Sequence, residues 1–363
     1  MSLFRDCASL FIVGFQGTDR PDQDVLKLVD EGVGGVILFK RNVETPAQVA
    51  SLVRAVKMHA GRPLMASVDQ EGGRVARLRG APFTSLPPMR ALGATGDLAL
   101  VERAGRLLAH EVRAMGFDID FAPVVDVDTN PANPVIGDRS FHRDAHEVAK
   151  LGVALARGLE AGGVASCAKH FPGHGDTAKD SHLDLPTLPH NLERLRKIEL
   201  VPFAAYAKAG LASVMTAHVV FEALDVRLPA TMSPRVLDGL LRRELGFQGV
   251  VVSDDLEMKA VAEHFTIERA VVEGVLAGVD CFLVCHHPGV QRAAIEALVK
   301  AVERKEVSRE RLEEARSRVA AMVRKFVHGP EDLVGTLGTP AHAQLAAGLG
   351  VESFSGRDPT ERG

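Results

Sequence analysis

Tryptophan is absent from this chain of 363 residues, and tyrosine occurs once, at Tyr206. That scarcity argues against a surface built to stack on nucleic-acid bases. Blocks of like charge are missing too: 43 Lys and Arg stand against 47 Asp and Glu, for a net charge of -4. The basic residues are scattered, so no nucleic-acid partner is expected. No apolar run approaches the roughly 20 residues of a membrane-spanning helix, and no membrane association is expected. The N-terminal stretch MSLFRDCASLFIVGFQG puts acidic Asp6 ahead of a short apolar segment, without an extended signal-type core or small-residue cleavage site. Cysteine is sparse. Cys7, Cys167, Cys281 and Cys285 form neither a CxxC pair nor a zinc-ribbon pattern. Buried free thiols in a reducing cytoplasm are the expectation.

What the chain does have is a regular supply of short apolar runs. They are Leu10–Phe15, Val33–Phe39, Leu64–Val68, Ile119–Val127, Val164–Ala168, Ala212–Ala217, Gly249–Ser253 and Cys281–Val284. Most are continuous rather than alternating, as strands buried on both faces require. Segments of helical period separate them; in 97–115, for example, Leu98, Val101, Leu108 and Val112 share one stripe. Eight strands, each mostly followed by a helix, predict a single (β/α)8 TIM-type barrel, irregular in its first strands. The rival doubly wound sheet would need a glycine-rich turn after the first strand, and none is present. The barrel is assigned to residues 1–335. Residues 336–363 are expected to form a short helix near Ala341–Ala347 and a disordered tail.

Polar residues gather where the apolar runs stop. Asp69, Asp126 and Asp128, Lys169 and His170, His218, and Asp254 each close one. In a barrel those strand ends share one face, where active sites are built. Several chemistries compete for them. Lys169 could form a Schiff base, but with so many carboxylates available a charged, hydrogen-bonding lysine is favoured. His170, His174, Asp176 and His182 could hold a divalent metal, yet neither an HxH strand nor an HExxH helix accompanies them. Glycoside hydrolysis needs a carboxylate nucleophile and a proton donor. Asp254 suits the first role. Asp180 and His182, two apart on an extended loop, offer a dyad for the second. Periodicity does not choose between Asp254 and Asp255, because residues 250–252 are all apolar.

The segments VDQEGGRVARL, IGDRSF, KHFPGHGDT, DSH, VMTAHV and SDDLEM, in that order, resemble glycoside hydrolase family 3. More narrowly, they resemble the bacterial β-N-acetylglucosaminidases of cell-wall recycling. The resemblance spans about Leu10 to Val284. It implies a retaining exo-β-N-acetylglucosaminidase with Asp254 as nucleophile, His182 as general acid/base and Asp180 as its partner. Asp69, Arg77, Arg139, Lys169 and His170 are implied to hold the terminal sugar, with His218 a less certain neighbour. Glu71, Gly72 and Gly73 are read as shaping the turn after Asp69, and His174 and Asp176 as structuring their loop. The resemblance implies no metal or cofactor. It implies action in the cytoplasm on a small carbohydrate or muropeptide, N-acetylglucosamine linked to anhydro-N-acetylmuramic acid, and a monomer is expected.

Overall fold

The computed structural model describes residues 2–177, 185–329, 331, 333–348 and 358–360. Eight parallel strands form its centre. In chain order they are Phe11–Gly14, Gly35–Leu38, Met65–Val68, Ile119–Asp120, Cys167–Phe171, Ser213–Thr216, Val250–Asp255 and Cys281–Val284. They pair in the order 4-3-2-1-8-7-6-5. The fourth and fifth strands then meet through the parallel bridges Ile119↔Ala165 and Val124↔Lys169, which close the ring. Nearly every strand residue is buried, which explains the unbroken apolar runs.

The helices wrap this ring. Gln23–Glu31, Pro46–Ala60, Leu98–Ala114, Ala145–Ala161, Ile267–Ala277 and Pro288–Glu303 each cover it with an apolar stripe. Side-chain caps fix the starts of all but the last, which opens on Pro288 instead. Asp22, Asp97, Asp144 and Thr266 each accept a backbone N–H of the first turn, and Thr45 forms a reciprocal box with Gln48. Arg235–Glu244 is a π-helix that closes with a bond from Leu245 N to Leu240 O.

The irregularity lies elsewhere than expected. The first three strands are regular four-residue segments. The fourth keeps only Ile119 and Asp120, because Pro123 has no N–H to give the ladder. All four cysteines are free and buried. Burial pushes the Cys7 and Cys167 thiols up to about 12, so neither is a ready nucleophile. No helix among the described residues is long and apolar enough to cross a membrane.

One buried carboxyl outside the strand-end face has a measurable consequence. Glu111, on the helix Leu98–Ala114, accepts the Thr84 N–H at 2.8 Å, and its other oxygen has no partner among the described residues. Burial pushes its pKa up from 4.5 to about 7. Between those values the unfolded chain has lost the proton that the folded protein keeps. Stability therefore falls as pH rises through this window. Glu111→Gln keeps the bond from Thr84 and removes the titration. It should raise stability by roughly 2 kcal/mol at pH 8 and change little at pH 4. Thermal melts of both proteins across that range test this; a constant difference at all pH values would refute it.

Candidate active site

The strand ends converge on one cavity. Asp69 follows the third strand, Lys169 and His170 lie in the fifth, Asp254 and Asp255 end the seventh, and His286 follows the eighth. All of them line it, together with Arg139, Phe39, Phe121 and Met215. The polar members are held by an array of alternating charge. Lys169 Nζ lies 2.8 Å from Asp69 Oδ1 and 2.6 Å from Glu71 Oε1. Arg139 then grips Glu71 with two bonds, from Nε to Oε2 and from Nη2 to Oε1, each 2.8 Å. At the other end, Arg77 Nη2 reaches Asp69 Oδ2 at 3.3 Å.

Burial and charge oppose each other in this array. Burial alone would disfavour the charged form of every member. For Glu71, Arg139 and Lys169 outweigh it and hold the carboxyl well below its usual range. For Asp69, Lys169 and Arg77 do the same. Lys169 is in turn raised by Asp69 and Glu71. A lysine so firmly protonated is a poor Schiff-base nucleophile, which favours the hydrogen-bonding role.

The hairpin Gln70–Gly72/Val75–Ala76 delivers Glu71. Gln70 staples it: its side-chain oxygen accepts from Arg77 N and Leu78 N, and its amide donates to Leu78 O. Gly73 at the turn has φ +56°, and a Cβ there would lie 2.7 Å from Pro88 Cα. The turn-shaping expectation thus fits Gly73 but understates Glu71, the counter-charge for two buried cations.

The fifth-strand loop is anchored by Asp126. Its carboxylate accepts from His170 N, from His170 Nδ1 at 2.8 Å and from His174 N at 2.6 Å. Among the described residues that leaves His170 Nε2 without a hydrogen-bond partner, on a residue that lines the cavity. Burial, with His170 nearby, lowers the His174 pKa to about 4, so this imidazole is neutral at pH 7. Asp176 is bonded by Thr129 and His190, as suits a loop-structuring residue. A Cβ on Gly175 would sit 1.8 Å from Val127 O, so that glycine serves a close backbone approach. Asp128 pairs with Arg90 at 2.7 Å, away from the array. Asp180 and His182 lie outside the described residues. Their flanks are held: Asn133 donates to the Thr177 hydroxyl, and Val220 N donates to Pro186 O.

The seventh strand separates its two carboxylates. Asp255 Oδ1 accepts from Glu257 N and Cys285 N, and Oδ2 pairs with His286 Nε2 at 3.1 Å. Asp254 is less enclosed; its Oδ1 accepts only the Asp255 amide among the bonds of the described residues. His218 does not line the cavity. It bridges Thr231 and the Asp255 carbonyl, and burial lowers its pKa, so it braces the strand end as a neutral imidazole.

The cavity therefore gathers Asp69, Arg139, Lys169, His170 and Asp254, with Arg77 one layer behind. Sequence reasoning missed the structural weight of Glu71, and it missed His286. The second could have been suspected from its place just past a barrel strand. An array of this kind presents fixed donors and acceptors to a polyhydroxylated ligand, with one carboxylate left available for attack.

Comparisons with known proteins agree with this geometry. Residues 7–322 match the family described as Glycosyl hydrolase family 3 N terminal domain. A beta-hexosaminidase of Thiobacillus denitrificans is 45% identical over 278 residues, 75% of this chain and 77% of that protein. Beta-hexosaminidase A of Pseudoalteromonas piscicida is 37% identical over 353 residues, 89% of this chain but 59% of that protein. Among solved structures, a family 3 beta-N-acetylglucosaminidase from Paenibacillus sp. superposes with a TM-score of 0.90 at 41% identity, over 96% of this chain and 68% of that one. NagZ from Neisseria gonorrhoeae gives 0.80 at 34% identity, over 95% and 98%.

Proposed function

Since the chain belongs to glycoside hydrolase family 3, we propose that it is a retaining exo-β-N-acetylglucosaminidase acting on peptidoglycan fragments by double displacement. The observation that carries the reading is the pairing of a ligand-facing Asp254 with the charge array across one cavity. The array would hold the hydroxyls of a terminal sugar, and the apolar wall of Phe121 and Met215 would meet its ring.

In the first step an Asp254 oxygen attacks the anomeric carbon, and the glycosidic C–O bond breaks. His182, supported by Asp180, gives its proton to the leaving oxygen. In the second step neutral His182 takes a proton from water. The resulting oxygen displaces Asp254, so the sugar leaves with its β configuration retained. We assign the reaction to the cytoplasm and to a monomer, with a small carbohydrate or muropeptide as substrate. N-acetylglucosamine linked to anhydro-N-acetylmuramic acid is the expected physiological form.

Turnover of p-nitrophenyl N-acetyl-β-glucosaminide beside the corresponding glucoside, with a chelator present, tests the class. Preference for the glucoside would move the protein to a broader β-glycosidase. The cell-wall disaccharide is then compared with chitobiose; rejection of the former would remove the peptidoglycan assignment. His182→Ala should cost roughly 10²–10⁴-fold with sugar leaving groups and far less in the first step with activated aryl groups. Equal losses on both would contradict an acid role.

A further inference from the structure

The end of the chain reaches the sugar-binding array. Arg77 is 3% exposed, and its guanidinium is enclosed on several sides. Nη1 donates to Asp358, and Nη2 donates to Thr360 Oγ1 at 2.7 Å and to Asp69 at 3.3 Å. The Phe39 ring centroid lies 5.9 Å from Cζ. Thr360 locks the arrangement, since its amide and hydroxyl both donate to Asp358 Oδ1, at 2.8 and 2.7 Å. Within the C-terminal segment, Asp358 and Thr360 bond Arg77 from 281 and 283 positions away.

Two features separate a supporting wall from an obstruction. Asp69 cannot satisfy Arg77 by itself, because Lys169 already holds it more closely, at 2.8 Å. Asp358 supplies the missing counter-charge. The sequence Asp358, Arg77, Asp69, Lys169, Glu71, Arg139 then alternates in sign from end to end. Position is the second feature. Thr360 lines the cavity and Asp358 does not. The hydrogen bonds that residues 358–360 make among the described residues reach Arg77 and each other. None of them goes to Lys169, His170, Arg139 or Asp254.

We propose that Asp358 and Thr360 complete the terminal-sugar subsite: Asp358 is a positioning residue that fixes Arg77 from behind, and Thr360 is the cavity edge that the sugar meets beside it. The proposal rests on the glycosidase reading above. It adds a specificity element from a part of the chain that lies beyond residues 7–322, the family-matching segment.

Steady-state kinetics on p-nitrophenyl N-acetyl-β-glucosaminide with the full chain tests it. Asp358→Ala should raise KM about tenfold or more, the scale of a lost charge-assisted bond, while kcat changes less. Asp358→Glu should recover part of the loss, and added formate should partly rescue the alanine variant. Thr360→Val should raise KM by a smaller factor. An unchanged KM in Asp358→Ala overturns the proposal. So does a KM that falls, which would mark the segment as a plug. A loss that follows thermal stability and resists formate shows a merely structural contact and also overturns it. If the unaltered protein turns over no N-acetylhexosaminide, the glycosidase reading itself has failed, and this one with it.

Discussion

Asp254→Ala is expected to lower kcat by roughly 10⁴–10⁶-fold, the scale seen when a covalent nucleophile is removed. Labelling by a slow fluorosugar should vanish with it, as mass spectrometry of the intact protein would show. The reasoning is geometric. Two carboxylates end the seventh strand, and the proposed mechanism calls for one nucleophile. Asp255 is bonded by two backbone amides and by His286, so its orientation serves the fold. Asp254 lines the cavity and, among the described residues, accepts one bond, from the next residue's amide to Oδ1, so that the proposed attack falls to its other oxygen. Asp255→Asn should behave differently. It keeps an acceptor for the amides and should lower stability and activity together, with labelling retained. Stoichiometric labelling of Asp254→Ala, or loss of labelling only on changing Asp255, would reverse the assignment.

The eight strands were legible because each is buried on both faces and so reads as an apolar run. Ile119–Val127 misled as to length, since apolarity reports burial and not pairing, and Pro123 interrupts the ladder. The site was legible wherever its residues sit in or just past the strand ends, as Asp69, Lys169, His170 and Asp254 do. Arg139 lies in a short helical turn, Gly137–Arg139, and no periodicity points to it; the family resemblance was needed. Glu71 is hidden for another reason. Next to two glycines it reads as part of a turn, and its importance comes from cations far along the chain, at positions 139 and 169. His286 follows a strand but falls in no motif used above. Asp358 is the extreme case: three polar and proline positions near the chain end carry no local signal of a partner 281 residues away. Long-range charge pairing leaves no pattern in sequence, whereas hydrophobic burial does.

Glu71→Gln tests the claim that the array acts as a unit, and its effect should be large despite the near-identical shape. Glu71 is 2% exposed and meets only donors: two guanidinium nitrogens of Arg139 on one side and the Lys169 ammonium on the other. A carboxylate accepts from all of them. An amide cannot, because it must turn an NH2 group toward either Arg139 or Lys169, and neither can accept. The substitution also leaves two buried cations short of a counter-charge. Breaking a buried pair in this way costs about 3–5 kcal/mol, and at roughly 2–4 °C per kcal/mol the melting temperature should fall by some 10 °C. With its pKa held well below 4.5, Glu71 contributes stability that is present above that value and lost as pH falls below it. The variant should therefore differ most from the unaltered protein above pH 5, and the gap should narrow in acid. Activity should fall further than stability requires, because Lys169 and Arg139 lose their shared anchor and a sugar bound as proposed would meet misplaced donors. A folded Glu71→Gln protein with an unchanged melting temperature and near-normal kcat/KM would show that the cations are held by other means, and the cooperative array would have to be abandoned.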